Sequence, residues 1–214
     1  LTSEEVSNVA SKDRYTKLIW EDNFDGSGKV DSNKWQYEVR NQWYNNEKQA
    51  TTDRLDNVKV ENGVLKITAK KESYGGKEYT SGRIRTFTKL DFTYGRVDIR
   101  AKMPSKGGTW PALWMLGSNY QSIDWPACGE ADILEHTGNN INRVQATVHY
   151  PQRHAGNGDT AITNDYNDVT TNFHVYSVVW TPQALTFYVD NEPYHVVGNS
   201  CALPFNWNFY IILN

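Results

Sequence analysis

A chain of 214 residues can bury one sizeable core and does not require a second domain. Its formal charge of −3 excludes the basic surface of a nucleic-acid binder, and no apolar run reaches the roughly 20 residues of a membrane-spanning helix. Aromatic residues make up 13%, with 8 Trp and 13 Tyr, more than a core of this size consumes, so some are expected at the surface as stacking platforms. Cys128 and Cys201 leave one disulfide or two free thiols open, and no Cys/His spacing suits zinc.

In chain order, residues 1–16 are polar and unpatterned and are expected to form a loosely packed tail, with the domain beginning near Lys17. The opening Leu-Thr-Ser-Glu-Glu has no basic-then-apolar signal pattern, which fits a mature exported form. Short alternating segments then follow at the spacing of an all-β sandwich. Asn62-Gly63 divides two strand-like runs, predicting a hairpin over residues 58–70. Val97, Ile99, Ala101 and Met103 alternate with charged neighbours, predicting a strand with one face on a core. The stretch Gln152 to Thr171, rich in Asn, Asp, Gly and Thr, is expected to be the longest loop. Leu185, Phe187 and Val189 repeat the strand alternation before an Asp190-Asn191 turn. No window carries a long helical period with caps. The final Phe209 to Asn214 reads as a strand in progress, so further strands are expected beyond it.

The most informative segment is Trp125-Pro126-Ala127-Cys128-Gly129-Glu130-Ala131-Asp132-Ile133-Leu134-Glu135-His136. In a regular strand Glu130 and Asp132 share a face and Glu135 points away. A β-bulge at Ile133-Leu134 would return Glu135 to that face and bury the apolar pair beneath. Adjacent acids repel, so a shared proton, a cation or a chemical use is implied. A retaining glycosidase has such a use: one ionised carboxylate attacks the anomeric carbon and one carboxyl protonates the leaving oxygen. A solvated edge strand or a calcium loop is the plainer alternative, although the glycine-and-aspartate pattern of a calcium hand is missing.

This segment, preceded by Gly108-Thr109-Trp110-Pro111-Ala112-Leu113-Trp114-Met115-Leu116 and followed by Thr147-Val148-His149-Tyr150, closely resembles the laminarinase-type members of glycoside hydrolase family 16 from Leu18 to Asn214. The family pattern is Glu-x-Asp-x-(x)-Glu, matched here in its longer form. The resemblance implies an all-β jelly-roll (concanavalin-like) sandwich of two antiparallel sheets with an open concave substrate cleft, spanning residues 17–214 and lacking the C-terminal strands of other members. It implies retaining endo-hydrolysis of β-1,3-glucan or mixed-linkage β-glucan, with Glu130 as nucleophile, Asp132 as its assistant and Glu135 as acid/base. A non-catalytic glucan-binding module on the same fold is the alternative from another class, and retention of both glutamates favours an enzyme.

Trp110 and Trp114 are four apart, on one face of a strand, and serve either as core tryptophans or as the sugar platforms the family has there. Trp125 is a third candidate of that kind. By resemblance Arg83, in Ser81-Gly82-Arg83-Ile84-Arg85, bonds sugar hydroxyls, its plainer use being an ion pair with a nearby acid. Asn46 matches a family residue near the distal donor sugars, though an isolated Asn is commonly a turn residue. His149 is expected to bind sugar or support the acid/base, and His136 to be structural. The residue after the nucleophile is usually bulky and aliphatic in the family, and Ala131 departs from that. No cofactor is expected for the chemistry. A structural calcium is expected on Glu21 and the Gly63 carbonyl. The expected partner is a polysaccharide, with no nucleic acid or membrane, and the protein is expected to be secreted or at the cell surface and monomeric unless a second chain supplies the missing strands.

Overall fold

The computed structural model describes residues 15–214, so the tail expected over residues 1–16 lies outside the described residues apart from Tyr15 and Thr16. The chain divides into two compact units, one holding residues 19–90 with 211–214 and the other residues 91–210. Both are built from strands.

The smaller unit contains β1 (Gln36–Tyr37), β2 (Gln49–Thr51), β3 (Val58–Glu61), β4 (Val64–Ile67), β5 (Lys70–Tyr74), β6 (Lys77–Ser81) and β7 (Ile84–Arg85). Strands β3 and β4 form the expected hairpin, with Glu61 opposite Val64. Asn62 and Gly63 both take positive φ, 55° and 72°, as a twist-matched two-residue turn requires. The hairpin ends at Ile67 rather than residue 70, because Lys70 already pairs with Thr80 of β6. Buried Asn57 ties the unit together. Its Oδ1 accepts from Thr52 Oγ1 (2.6 Å) and Arg54 Nη2 (3.0 Å), and its Nδ2 donates to the Thr68 carbonyl (3.0 Å) and Thr80 Oγ1 (2.8 Å).

The larger unit contains β8 (Gly95–Ala101), β9 (Ala112–Gly117), β10 (Glu130–Thr137), β11 (Asn140–His149), β12 (Asp159–Thr163), β13 (His174–Trp180), β14 (Ala184–Val189) and β15 (Glu192–Gly198). The last strand, β16 (Phe209–Leu213), pairs through Ile212 and Leu213 with Arg85 and Ile84 of β7. Within the larger unit, β9-β10-β11-β12 make one antiparallel layer and β15-β14-β13-β8 the other, with β10 packed on β13 and β12 on β15. The core holds Ala131, Ile133, Val144, Ala146 and Val148 from the first layer and Tyr176, Val178 and Phe187 from the second, all fully buried. Each large aliphatic or aromatic side chain so buried stabilises the fold by about 1.5–3 kcal/mol. Trp180 anchors one end, its indole donating to the Phe205 carbonyl at 2.9 Å among the rings of Phe92, Tyr94 and Phe209.

The expected alternation over residues 97–103 appears on edge strand β8, with Asp98 and Arg100 exposed. On β14 the alternation expected from Leu185, Phe187 and Val189 is lost, because Thr186 and Tyr188 are buried too. The loop expected from Gln152 to Thr171 contains a strand, β12, and a short 3-10 turn at Ala155–Asn157. As an edge strand with one solvated face, β12 has a polar sequence that reads like a loop. Cys128 is buried and Cys201 exposed, both as free thiols. The fold is an all-β jelly-roll sandwich whose sheets are antiparallel apart from the parallel pair of β2 and β6.

Candidate active site

Along β9, Leu113 and Met115 are buried while Ala112, Trp114 and Leu116 occupy the less buried face. Against β11, Glu130 lies opposite His149, Asp132 opposite Thr147 and Glu135 opposite Gln145. Three residues therefore advance on β10 for two on β11. The same excess appears against β9, where Asp132 faces Trp114 and Glu135 faces Ala112. The surplus is the Ile133-Leu134 pair, both fully buried. Directly paired residues share a face. The bulge thus brings Glu130, Asp132 and Glu135 to one side, in company with Trp114, Gln145, Thr147 and His149.

The carboxylates sit in two different environments. Glu135 accepts from Trp110 Nε1 (3.0 Å), Gln145 Nε2 (2.9 Å) and Thr147 Oγ1 (3.4 Å). Gln145 is itself held, since Arg143 donates to its Oε1 and its Nε2 also reaches Thr147 Oγ1 at 3.0 Å. Trp110, Glu135, His136, Thr137, Arg143 and Gln145 line a shallow pocket of about 210 Å³.

His149 Nε2 lies 3.2 Å from Asp132 Oδ2 and 3.6 Å from Glu130 Oε1. Asp132 is only 4% exposed, and its Oδ2 has no hydrogen-bond partner. Burial pushes both carboxyl groups well above the ordinary carboxylate range. Asp132 and Glu135 add repulsion at Glu130, and Glu135 adds it at Asp132. The charge of His149 and a hydrogen bond from Trp125 pull Glu130 back toward ionisation. The enclosed Asp132 is the natural holder of the proton that the pair shares. Gly158 lets the chain close over His149, where a Cβ would lie 2.7–2.9 Å from the imidazole and Thr147.

Several expectations need correction. Trp110 precedes β9 and does not share its strand with Trp114. Its ring is 47% exposed, and its indole nitrogen also positions Glu135. Trp125 is 43% exposed, and its ring centre lies 5.8 Å from that of His149. His149 stands beside Glu130 and Asp132 rather than Glu135, because register pairs it with Glu130. His136 is buried, as expected, with Nδ1 donating to the Arg143 carbonyl at 2.9 Å. Gln145 and Arg143 were not singled out by the sequence, which carries no signal for contacts set by register. Ala131 is buried between Met115 and Val148. Next to the carboxylates, burial pushes the Cys128 thiol up to about 11, with the Glu130 charge adding to it.

Arg83 and Asn46 belong to the smaller unit. Arg83 Nε donates to Glu38 Oε2 at 2.7 Å, Arg85 Nη1 to Glu38 Oε1 at 3.3 Å, and the Arg83 guanidinium lies 4.5 Å from the Trp43 ring centre. The plainer use of Arg83, an ion pair, is thus realised. Asn46 is an exposed turn residue with φ 57°. At the expected calcium site the Glu21 carbonyl accepts from Lys34 Nζ at 2.7 Å. That bond leaves the Glu21 carboxylate and the Gly63 carbonyl as the oxygen donors at this place.

The family model for glycosyl hydrolases family 16 matches residues 45–209. A β-glucanase of Rhodothermus marinus is 40% identical over 97% of this chain and 78% of its own length. The X-ray structure of the laminarinase from Rhodothermus marinus superposes with a TM-score of 0.88 at 40% identity, covering 92% of this chain and 84% of that one. For the endo-β-1,3-glucanase of Pyrococcus furiosus the values are 0.85 and 36%, covering 92% and 82%. With the model match spanning most of the sequence and the bulged carboxylate strand in place, the chain belongs to the glycosyl hydrolases family 16.

Proposed function

We propose that this chain hydrolyses β-1,3-glucan, or mixed-linkage β-glucan, at internal bonds by a retaining double displacement. The observation that carries the reading is the bulged register, which sets Glu130 and Glu135 on one face in unlike surroundings. Relatives named as β-glucanase, laminarinase and endo-β-1,3-glucanase support the substrate.

Glu130 attacks the anomeric carbon while Glu135 gives its proton to the departing glycosidic oxygen, leaving a covalent glycosyl-enzyme. Glu135 then takes a proton from water, whose oxygen displaces Glu130 and restores the β-configuration. Asp132, two residues along the same face from Glu130, holds the proton that a second charge there would make untenable. Trp110 and Gln145 fix the Glu135 carboxyl plane, and the exposed rings of Trp110 and Trp125, with Trp114 beside them on the carboxylate face, offer apolar surfaces to pyranose C–H groups. Carboxyl groups carry every step, so the reaction needs no cofactor. A polymer too large to cross a membrane supports action outside the cell, directly on polysaccharide.

Reducing ends should be released from laminarin, and proton NMR should show the β-anomer first. Glu130→Gln should abolish turnover while laminarin binding persists. Initial α-anomer, or wild-type turnover in that variant, refutes the assignment.

A further inference from the structure

One feature of the carboxylate face is not consumed by hydrolysis. Asp132 Oδ2 is a buried acceptor without a hydrogen-bond partner, and it points at His149 Nε2, 3.2 Å away. A buried oxygen left this way is costly, and a cation that reaches it displaces to solvent the proton that Asp132 otherwise holds. His149 Nε2 is also 3.6 Å from Glu130 Oε1, and the three side chains each offer one ligand atom within 4.8 Å of the others.

We infer that Glu130, Asp132 and His149 form a capture site for a divalent transition ion such as Zn²⁺, and that the bound ion competes with glucan. The spacing matches the chemistry. Bonds of about 2.0–2.2 Å to nitrogen and oxygen in a tetrahedral site put neighbouring donor atoms about 3.3 Å apart, close to both distances at His149. The donor set of one imidazole and two carboxylates suits borderline ions. Calcium and magnesium, which need six or more oxygen donors or near-ideal octahedral geometry, are poorly served by it. Three protein ligands leave the fourth position to water.

Access is through Glu130, the most exposed of the three side chains at 18%, against 5% for Asp132. His149 Nδ1 is buried without an acceptor to fix its tautomer. A partner on the free ring nitrogen of a ligating histidine is usually worth 10–100-fold in metal affinity, so a reversible site is expected rather than a resident cofactor. An ion on Glu130 ties up the lone pair that attacks the sugar, and its water fills the space of the sugar ring. The effect on hydrolysis rests on the function proposed above; the binding itself does not.

The test is calorimetric titration of EDTA-treated, desalted protein with Zn²⁺, with Ca²⁺ as a parallel arm. One Zn²⁺ per chain is expected, weakened at least ten-fold by His149→Gln and separately by Asp132→Asn, with Ca²⁺ silent at this site. Laminarin kinetics on the same wild-type sample should show Zn²⁺ raising apparent KM with kcat unchanged. Absence of 1:1 binding, or binding that survives both substitutions, overturns the inference. Inactivity of the metal-free wild type together with normal, His149-dependent Zn²⁺ binding would instead count against the hydrolytic reading and leave the ion site standing.

Discussion

Replacing Gln145 by Ala tests whether Glu135 is held in place by its neighbours. The amide donates to Glu135 Oε2 at 2.9 Å and, once removed, leaves that oxygen only Thr147 Oγ1 at 3.4 Å. A hydrogen bond to a charged group is worth about 1.5–3 kcal/mol, which converts to a roughly 10–150-fold loss of rate if the bond acts mainly in the transition state. The loss should fall on kcat, since Gln145 is asked to position an acid rather than to bind sugar. Initial rates on laminarin should be compared with those on an aryl β-glucoside oligomer whose leaving group departs without protonation. The activated substrate should escape most of the defect in the first chemical step. An equal loss on both substrates, or a change confined to KM, would refute a role through Glu135.

Asn57→Ala removes four hydrogen bonds at a fully buried position. It should cost about 3 kcal/mol, because stranded partners lose more than the bonds themselves, and lower Tm by about 6–12 °C in calorimetry. Asp132→Asn should stabilise the protein while crippling it. Burial raises the folded-state pKa of Asp132 above its ordinary 3.8, so the wild-type carboxyl favours folding below that value and its contribution is lost as pH rises through the folded pKa. The Tm of the variant should therefore exceed that of the wild type at pH 7, with the difference shrinking toward pH 4. Iodoacetamide should modify the exposed Cys201 in the native protein, and Cys128, buried with its thiol pushed up to about 11, only after unfolding. Mass spectrometry of the two cysteine peptides distinguishes them.

The parts of the site that the sequence makes legible follow from strand period alone. Three acids and an apolar pair in six residues admit one arrangement in which every apolar side chain is buried and every acid shares a face, and Ile133 and Leu134 take it. Asn62-Gly63 is legible because few other dipeptides tolerate two positive φ angles. What stays hidden depends on register between segments distant in the chain. Nothing in the residues near Gln145 says that it will stand opposite Glu135, or that His149 will stand opposite Glu130. Strand β12 is hidden for a different reason: three of its five residues, Asp159, Thr160 and Thr163, are polar, so its composition matches that of a loop. The bond from Lys34 to the Glu21 carbonyl joins residues thirteen apart and leaves no trace in local pattern.

The bulge also explains how a sheet can carry three acids so close together. In a regular strand one of Ile133 and Leu134 would project toward the carboxylates. Here both are turned into the core, and burying the two contributes about 3–6 kcal/mol in total. That energy is independent of the charge state of the face above. It offsets part of the desolvation and repulsion that push Glu130 and Asp132 upward, and it fixes the backbone at Glu135 through packing, while Trp110 and Gln145 fix the carboxyl group itself. Glu135 is therefore positioned from both sides of the sheet, as the proposed acid/base role requires. Its placement survives changes in protonation during the catalytic cycle because half of its support is apolar.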